Sequence, residues 1–250
     1  MRSFLFNVSF WATSAAYVFT LAPVSLLPGK QLMRRLIKAY ARTIRWQMRH
    51  IAGIKVDVRG SHRLPEGPFI IAAKHQSYGD GFAMVSHLDD VAFVTGDHLE
   101  RFPLVGRILQ KIGAIVVDNC GGHLARQRLA DSFKTAAEEG RPVLIYPEGN
   151  LSKVGEHYPY RSGVWHMQQA SGWPVVPVAT NLGLFWNQQD WTKTPGTAVT
   201  EFLEPIPPGL PKDEFLARLQ AACEGHSARL AAEGRLQLRA AASQTAAVTA

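Results

Sequence analysis

Short apolar and β-branched runs alternate with stretches of helical periodicity over most of this 250-residue chain. The runs predict seven β-strands, at 54–58, 69–73, 91–95, 114–117, 143–146, 175–179 and 198–202. Several runs are continuously apolar, which is typical of strands that are covered on both faces of a sheet. Helices are predicted between them, at 81–88, 104–112, 124–139 and 164–170. This alternation predicts the α/β class, with a central mixed, largely parallel sheet flanked by helices.

The two ends of the chain follow other patterns. At the N-terminus, an uncharged apolar stretch at 3–27 precedes a basic segment at 30–49 whose apolar residues recur at helical spacing. Towards the C-terminus, an amphipathic helix is predicted at 215–230, and the residues after Ala240 offer no large side chain to bury. We therefore predict N-terminal membrane-associated helices at 1–50, an α/β domain at 51–210, a C-terminal helix at 211–235 and a disordered tail at 236–250.

The stretch at 3–27 is about long enough to cross a bilayer. It is open to three interpretations: a single span, a helix in the membrane interface, and a cleaved secretory signal. A signal fits least well, because only Arg2 precedes the apolar run and the basic cluster follows it. The segment at 30–49 either packs on the core with a solvated basic face or rests on anionic headgroups. By the positive-inside tendency, its basic residues place the rest of the chain at the cytoplasmic face of the inner cell membrane.

Charge and cysteine content exclude several classes of protein. A net charge of +7 favours an acidic partner, such as anionic lipid or a phosphorylated substrate. Nucleic acid is not expected, because the basic residues outside 30–49 are dispersed and no reader motif is present. Cys120 and Cys223 lack the spacing of a disulfide framework or a zinc site, so we expect no metal and a reducing, cytoplasmic setting.

The hexapeptide His75-Gln-Ser-Tyr-Gly-Asp80 follows the apolar run at 69–73, with Lys74 between them. It places an imidazole and a carboxylate where a strand gives way to a loop, which is where α/β proteins usually expose catalytic groups. A neutral imidazole can take a proton from a hydroxyl near pH 7 if a carboxylate holds its tautomer. On an ideal helix, residues five apart point about 140° away from each other, so the segment must turn between them. Gly79 and Gly81 favour such a turn.

Three later segments carry features that could belong to the same site. In the segment at 146–149, Glu148 presents a carboxylate at a strand end and Gly149 permits a close approach of the backbone. Asp118 ends another predicted strand, and the run at 175–179 is a buried strand that contains a proline. Each of these features, taken alone, is more often structural than functional.

Taken together and in this order, the segments resemble the motifs of the glycerolipid acyltransferase family, whose bacterial members include 1-acylglycerol-3-phosphate O-acyltransferases. His75 and Asp80 match the first family motif, a histidine and an aspartate separated by four residues. The segments at 113–118, 146–149 and 175–179 are similar to the second, third and fourth motifs. Four ordered motifs are far more specific than any one of them.

The resemblance implies transfer of a fatty acyl group from a thioester, on coenzyme A or acyl carrier protein, to the free hydroxyl of a membrane lysolipid. The expected acceptor is 1-acylglycerol-3-phosphate, and the product is phosphatidic acid. His75 would deprotonate the hydroxyl, Asp80 would orient His75, and the alkoxide would attack the thioester without an acyl-enzyme. Glu148 and Gly149 would position the acceptor. The resemblance implies no metal and no redox cofactor.

Two departures from the family pattern bear on the acceptor's phosphate. Asn119 stands where the second motif usually has Arg, and Leu151 stands where the third usually has it. Those arginines are thought to hold the phosphate, and neither an amide nor an alkyl chain replaces a bidentate guanidinium. A lysolipid with another headgroup, such as a lyso-aminolipid or another lysophospholipid, therefore stays open as the acceptor. With the basic residues that could substitute, the candidate acceptor-binding residues are Glu148, Gly149, Lys74, Lys153, Arg161, Asp118 and Asn119.

Two other functions fit parts of the same chain. The hexapeptide is also a variant of the nucleophile elbow, which would make Ser77 the nucleophile of a lipase-like hydrolase. That enzyme would need a later acid and base, and Asp190 with His226 is the late pairing available. His226 lies in the predicted C-terminal helix, which argues against the hydrolase. A protein of the same fold that only binds lipid is the other alternative, and the intact His75 and Asp80 argue against it.

Overall fold

A computed structural model describes residues 1–96, 99, 103–117, 133–187 and 190–249. Within these residues the chain forms one sheet, whose strands are β1 (Ile54–Arg59), β2 (Ile70–Ala73), β3 (Ala92–Gly96), β4 (Ile115–Val117), β5 (Val143–Ile145), β6 (Val175–Thr180) and β7 (Gly196–Phe202). The strand order is β1-β7-β6-β2-β5-β3-β4, and every neighbouring pair is parallel except β6 and β7. The predicted class, a mixed and largely parallel sheet flanked by helices, is confirmed.

The helices flank this sheet and form the N-terminal segment. They are α1 (Arg2–Val24), α2 (Gln31–Gln47), α3 (Gly79–His87), α4 (Pro103–Ile112), α5 (Gly163–Ser171) and α6 (Lys212–Thr249). Residues 133–138 are also helical and belong to the helix predicted at 124–139, the first part of which lies outside the described residues. Short 3-10 turns lie at Ser61–Arg63 and Leu182–Leu184, and a π-helical turn at Met48–Ala52 continues α2.

The parallel centre of the sheet brings the candidate motifs to one edge. β2 lies between β5 and β6, with Ile70 opposite Val143 on one side and opposite Val175 on the other. All four residues of β2 are buried, as expected of a strand that is covered on both faces. Because parallel strands end at the same edge of a sheet, the loops that follow β2 and β5 meet there.

Two cores cover the two faces of the sheet. Val175 lies in a cluster with Phe215 and Leu219 of α6, whereas the next residue, Val176, lies in a cluster with Met84 of α3. Successive residues of a strand point to opposite faces, so α6 and α3 lie on opposite sides of the sheet. The loop between β2 and α3 leaves β2 at the carboxyl edge, next to the loop after β5, and leads to the face of the sheet opposite α6.

α6 extends well beyond the predicted C-terminal helix, and this differs from the disordered tail predicted at 236–250. The helix is continuous over Lys212–Thr249. Gln237 Oε1 accepts a hydrogen bond from the backbone N–H of Thr197 at 2.9 Å, and Leu238 packs beside a core cluster. The sequence beyond these contacts is rich in alanine, the strongest helix former, and it continues the helix without large side chains to bury.

α1 packs on the α/β domain with one face and exposes the other. The ring of Phe6 is buried and meets that of Trp186 edge to face, with centroids 5.0 Å apart, and Asn7 Nδ2 donates to Trp191 O at 2.8 Å. Among the described residues, α1 is the one helix long and apolar enough to cross a membrane, with a mean hydropathy of 1.3. This apolar helix indicates that the protein associates with a membrane. The large exposed apolar side chains of α1 are Phe4, Leu5, Val8, Trp11 and Phe19.

Ion pairs hold the start of α2 to the amino edge of the sheet. Arg34 pairs with Asp90 at 3.0 Å and also with Glu139, and Lys30 pairs with Glu139 at 2.9 Å. Burial alone would raise the pKa of Glu139, but its two basic partners lower it to about 2. Part of the basic segment at 30–49 is therefore paired with acidic groups of the protein. This favours the interpretation in which the segment packs on the core.

Candidate active site

His75 and Asp80 form a hydrogen-bonded pair in the loop between β2 and α3. His75 Nδ1 lies 3.1 Å from Asp80 Oδ2. The same carboxylate oxygen accepts the backbone N–H groups of Gln76 and Ser77, at 2.7 and 2.8 Å. The side chain of Asp80 is 4% exposed and that of His75 is 20% exposed. The imidazole is therefore the member of the pair that a substrate can reach.

This geometry sets the tautomer of His75. An ionised carboxylate only accepts hydrogen bonds, so His75 Nδ1 carries the proton that lies between the ring and Asp80. Nε2 is then left with the lone pair that can take a proton from a substrate. The carboxylate also stabilises the imidazolium that would form. The arrangement has the elements of a general base held by an orienting acid.

The turn required between His75 and Asp80 is made without a left-handed glycine. Neither Gly79 nor Gly81 has a positive φ. Gly79 leaves room for packing instead: a Cβ there would lie 2.7 Å from Leu182 Cδ2 and 3.0 Å from Trp186 Cε3. A larger residue at this position would therefore force these buried side chains to shift.

Ser77 supports the turn and is not arranged as a nucleophile. Its side chain is fully buried, and Oγ accepts the backbone N–H of Gly79 at 3.0 Å. His226, the base that a hydrolase would need, is exposed on α6. Asp190 is also exposed, and its carboxylate accepts the N–H of Thr192 at 2.8 Å. Among the described hydrogen bonds, none joins these residues into a Ser-His-Asp triad.

Glu148 is buried at the end of β5, and both of its oxygens are occupied. Oε1 accepts the backbone N–H of His75 and the hydroxyl of Ser152, each at 3.4 Å. Oε2 accepts Lys74 Nζ and the backbone N–H of Tyr158, each at 3.0 Å. The carboxylate therefore joins the loops around His75. This geometry fits a supporting role better than direct contact with an acceptor.

Lys74 is the cation of a buried charge cluster. Its Nζ donates to Glu148 Oε2 at 3.0 Å, to Glu224 Oε1 at 2.9 Å and to the backbone oxygen of Glu156 at 2.9 Å. The hydroxyl of Tyr160 also donates to Glu224 Oε1, at 3.0 Å. An ammonium group has three N–H donors, and Lys74 uses all of them within the protein. The prediction that Lys74 holds the acceptor's phosphate does not fit this arrangement.

The loop after β5 presents the other two predicted basic residues at the surface. Gly149 has a φ of +71°, and a Cβ there would lie 2.7 Å from Arg161 Cζ, so the guanidinium lies against the glycine. The backbone N–H of Arg161 donates to Pro147 O at 2.9 Å, which ties Arg161 to the third motif. Lys153 is exposed further along the same loop. The two remaining candidates, Asp118 and Asn119, lie outside the described residues.

Three residues around His75 were not predicted from sequence. The N–H of Ser152 donates to His75 O at 2.8 Å, and the ring of Tyr146 stacks on the imidazole with centroids 3.8 Å apart. Glu224 reaches Lys74 from α6, 150 positions along the chain. The sequence carries a signal for Tyr146, which belongs to the third motif, and for Ser152, which lies shortly after it. It carries no signal for Glu224, because the pattern of its helix is only amphipathic.

The chain is similar in sequence to known acyltransferases. Residues 55–181 match the Acyltransferase family. A 1-acyl-sn-glycerol-3-phosphate acyltransferase of Pseudomonas aeruginosa is 32% identical over 187 residues, which are 75% of this chain and 71% of that protein. The 1-acyl-sn-glycerol-3-phosphate acyltransferase alpha of Homo sapiens is 24% identical over 226 residues, which are 86% of this chain and 76% of that protein.

A solved structure shares the fold. The crystal structure of PlsC, the 1-acyl-sn-glycerophosphate (LPA) acyltransferase from Thermotoga maritima, superposes with a TM-score of 0.69. The superposition covers 92% of this chain and 98% of that one, at 20% identity. The structural likeness shows the fold, whereas the family match spans His75, Asp80 and the segment at 146–149. The chain belongs to the acyltransferase family and is an O-acyltransferase.

Proposed function

We propose that the enzyme transfers a fatty acyl group from an acyl thioester to the free hydroxyl of 1-acylglycerol-3-phosphate and forms phosphatidic acid. The observation that carries the proposal is the pair of His75 and Asp80, joined at 3.1 Å at the carboxyl edge of the sheet. The relatives named above are 1-acyl-sn-glycerol-3-phosphate acyltransferases, which supports this choice of acceptor.

His75 Nε2 takes the proton of the acceptor hydroxyl while the oxygen attacks the thioester carbonyl. Asp80 holds the imidazolium, and backbone N–H groups near the loop stabilise the oxyanion of the tetrahedral intermediate. Collapse of the intermediate forms the ester and breaks the carbon–sulfur bond, and the departing thiolate takes the proton back from His75. Because the acyl group arrives activated, the proposed reaction needs no metal and no redox cofactor. Both acyl-coenzyme A and acyl carrier protein fit this scheme as donors.

We assign the acceptor's phosphate to Arg161, with Lys153 as a second cation on the same loop. Arg161 is exposed, and its guanidinium lies against the backbone of Gly149. A guanidinium offers the planar pair of donors that phosphate oxygens accept. Leu151, which stands where the family usually has Arg, cannot do so. Glu148 and Lys74 then support the loops instead of touching the acceptor.

We further propose that α1 lies in the cytoplasmic leaflet of the inner membrane. Its exposed face is apolar along most of the helix, whereas Phe6 and Leu21 on the opposite face are buried against the protein. A helix that keeps this packed face is better suited to lie in the interface than to span the bilayer. Such a position brings the site to the membrane that holds both lysolipid and product.

An acyltransferase assay with a panel of acceptors tests the proposal. Purified protein in detergent is given a labelled acyl thioester, on coenzyme A or on acyl carrier protein, with 1-acylglycerol-3-phosphate, other lysophospholipids, a lyso-aminolipid and 1-acylglycerol. We expect the phosphate monoester to be acylated with the highest kcat/KM, His75→Ala to be inactive, and Ser77→Ala to retain most activity. Preferred acylation of another lysolipid would replace the proposed acceptor. An active His75→Ala protein would refute the mechanism.

The phosphate assignment has its own test in the same panel. Arg161→Gln is expected to raise the KM for 1-acylglycerol-3-phosphate by about tenfold, in line with the loss of charge-assisted hydrogen bonds. It should leave the rate with uncharged 1-acylglycerol unchanged. Lys55→Gln, on the exposed side of β1, is the matched control for loss of a surface cation. Equal losses with both acceptors would show that Arg161 does not read the phosphate.

A further inference from the structure

We propose that Tyr146 is a positioning residue, whose ring holds the His75 imidazole in the plane that proton transfer requires. Tyr146 directly follows β5, at the strand end beside His75. The two rings lie face to face, with centroids 3.8 Å apart and planes inclined by 18°. The inference rests on His75 acting as the base, the role proposed above.

The side chain of Tyr146 covers His75 and reaches the first turn of α3. Its ring covers one face of His75, and its hydroxyl lies beside the first turn of α3, where a Cβ on Gly81 would be 3.8 Å from Oη. Burial raises the pKa of Tyr146 well above its usual value, and the charge of Asp80 raises it further, so the phenol stays neutral. Among the described residues, the buried Tyr146 Oη and Asp80 Oδ1 have no hydrogen-bond partner. Packing of the ring, and not its hydroxyl, therefore holds Tyr146 in place.

Asp80 alone does not fix the plane of the imidazole. A single hydrogen bond at Nδ1 leaves the ring able to swing about that bond, and Nε2 then points in several directions. An aromatic ring against one face of His75 removes this freedom, as in other stacked aromatic pairs. Once Nε2 has taken a proton, the imidazolium lies over a ring face that attracts a cation. Both effects act on the chemical step, so they should appear in kcat and not in KM.

Two substitutions separate the ring from the hydroxyl. Tyr146→Leu removes the ring, and we expect kcat to fall about tenfold or more while the KM values for donor and acceptor stay within about twofold. Tyr146→Phe keeps the ring, and we expect kcat within about threefold of the parent. Phe93→Leu is the matched control, because Phe93 packs against the same core cluster as Tyr146 and its substitution should leave kcat within about threefold. If Tyr146→Leu does not fold, Tyr146→Ile takes its place at this strand end.

A spectroscopic readout reports the stacking itself. In protein labelled at histidine, the ring protons of His75, assigned by their loss in His75→Ala, should be shifted upfield by the Tyr146 ring. The shift should persist in Tyr146→Phe and disappear in Tyr146→Leu. Equal loss of kcat in both variants, or full kcat in Tyr146→Leu, would overturn the proposal. An active His75→Ala protein would instead show that the proposed base is wrong, so the two failures are distinguishable.

Discussion

Replacing Lys74 by Met distinguishes a structural cation from a substrate-binding one. Methionine keeps most of the aliphatic volume and removes the charge. The change takes away three hydrogen bonds of 2.9 to 3.0 Å, two of which end on the carboxylates of Glu148 and Glu224. Glu148 is wholly buried and would keep only backbone and hydroxyl donors. The substitution therefore leaves a buried anion without its cation.

The expected cost follows from this arrangement. Removing one partner of a buried ion pair destabilises a protein by about 3–5 kcal/mol. In a chain of this size, each kcal/mol lowers the melting temperature by about 2–4 °C, so we expect a fall of roughly 6–20 °C. Glu224→Gln leaves Lys74 paired with Glu148 and keeps an oxygen as acceptor, so its expected cost is smaller, at about 1 kcal/mol.

Thermal unfolding in detergent, followed by tryptophan fluorescence, measures the effect. Lys55→Met is the control, because Lys55 is exposed on β1 and its loss should change stability by no more than about 0.5 kcal/mol. Initial rates below the unfolding range give kcat and KM for each variant. If Lys74→Met is as stable as the parent and only raises the KM for a phosphate-bearing acceptor, the structural assignment is refuted and Lys74 is a ligand after all.

Three further substitutions test other parts of the structure. Asp80→Asn replaces the carboxylate by an amide that no longer holds the imidazole of His75 in the tautomer with the proton on Nδ1. Initial rates should show kcat reduced by about 10³–10⁴-fold. A loss below tenfold would contradict the orienting role of Asp80. Gly149→Ala forces a side chain into the left-handed region, so denaturant titration should show a loss of about 1–2 kcal/mol, and unchanged stability would contradict the left-handed backbone at this turn. Glu139 has a pKa lowered to about 2 in the folded protein. Its stabilisation is complete above the unfolded pKa of about 4.3 and is lost as the pH falls towards 2. The difference in unfolding free energy between parent and Glu139→Gln should therefore shrink between pH 7 and pH 3, and a constant difference would contradict the ion pairing.

Much of the architecture could be predicted from local sequence. Continuous apolar runs bounded by glycine, proline and charge mark the strands of the sheet, and each observed strand lies within two residues of its predicted bounds. The pairing of His75 with Asp80 is local too, because the N–H groups of the two residues that follow His75 bond the same carboxylate oxygen. Short-range hydrogen bonds of this kind depend on spacing, which is read directly from the chain.

Only the tertiary structure decided what the charged residues beside this pair do. In the sequence, Lys74 precedes His75 and is a candidate phosphate ligand. Successive residues of an extended segment point in opposite directions, however, so the side chain of Lys74 points away from that of His75. Its amine therefore enters the interior and meets Glu148 and Glu224, the latter 150 positions away on α6. No local pattern relates these groups, because a buried charge takes its partner from whichever strand ends and helices converge around it. The stacking of Tyr146 on His75 likewise depends on two strands ending side by side.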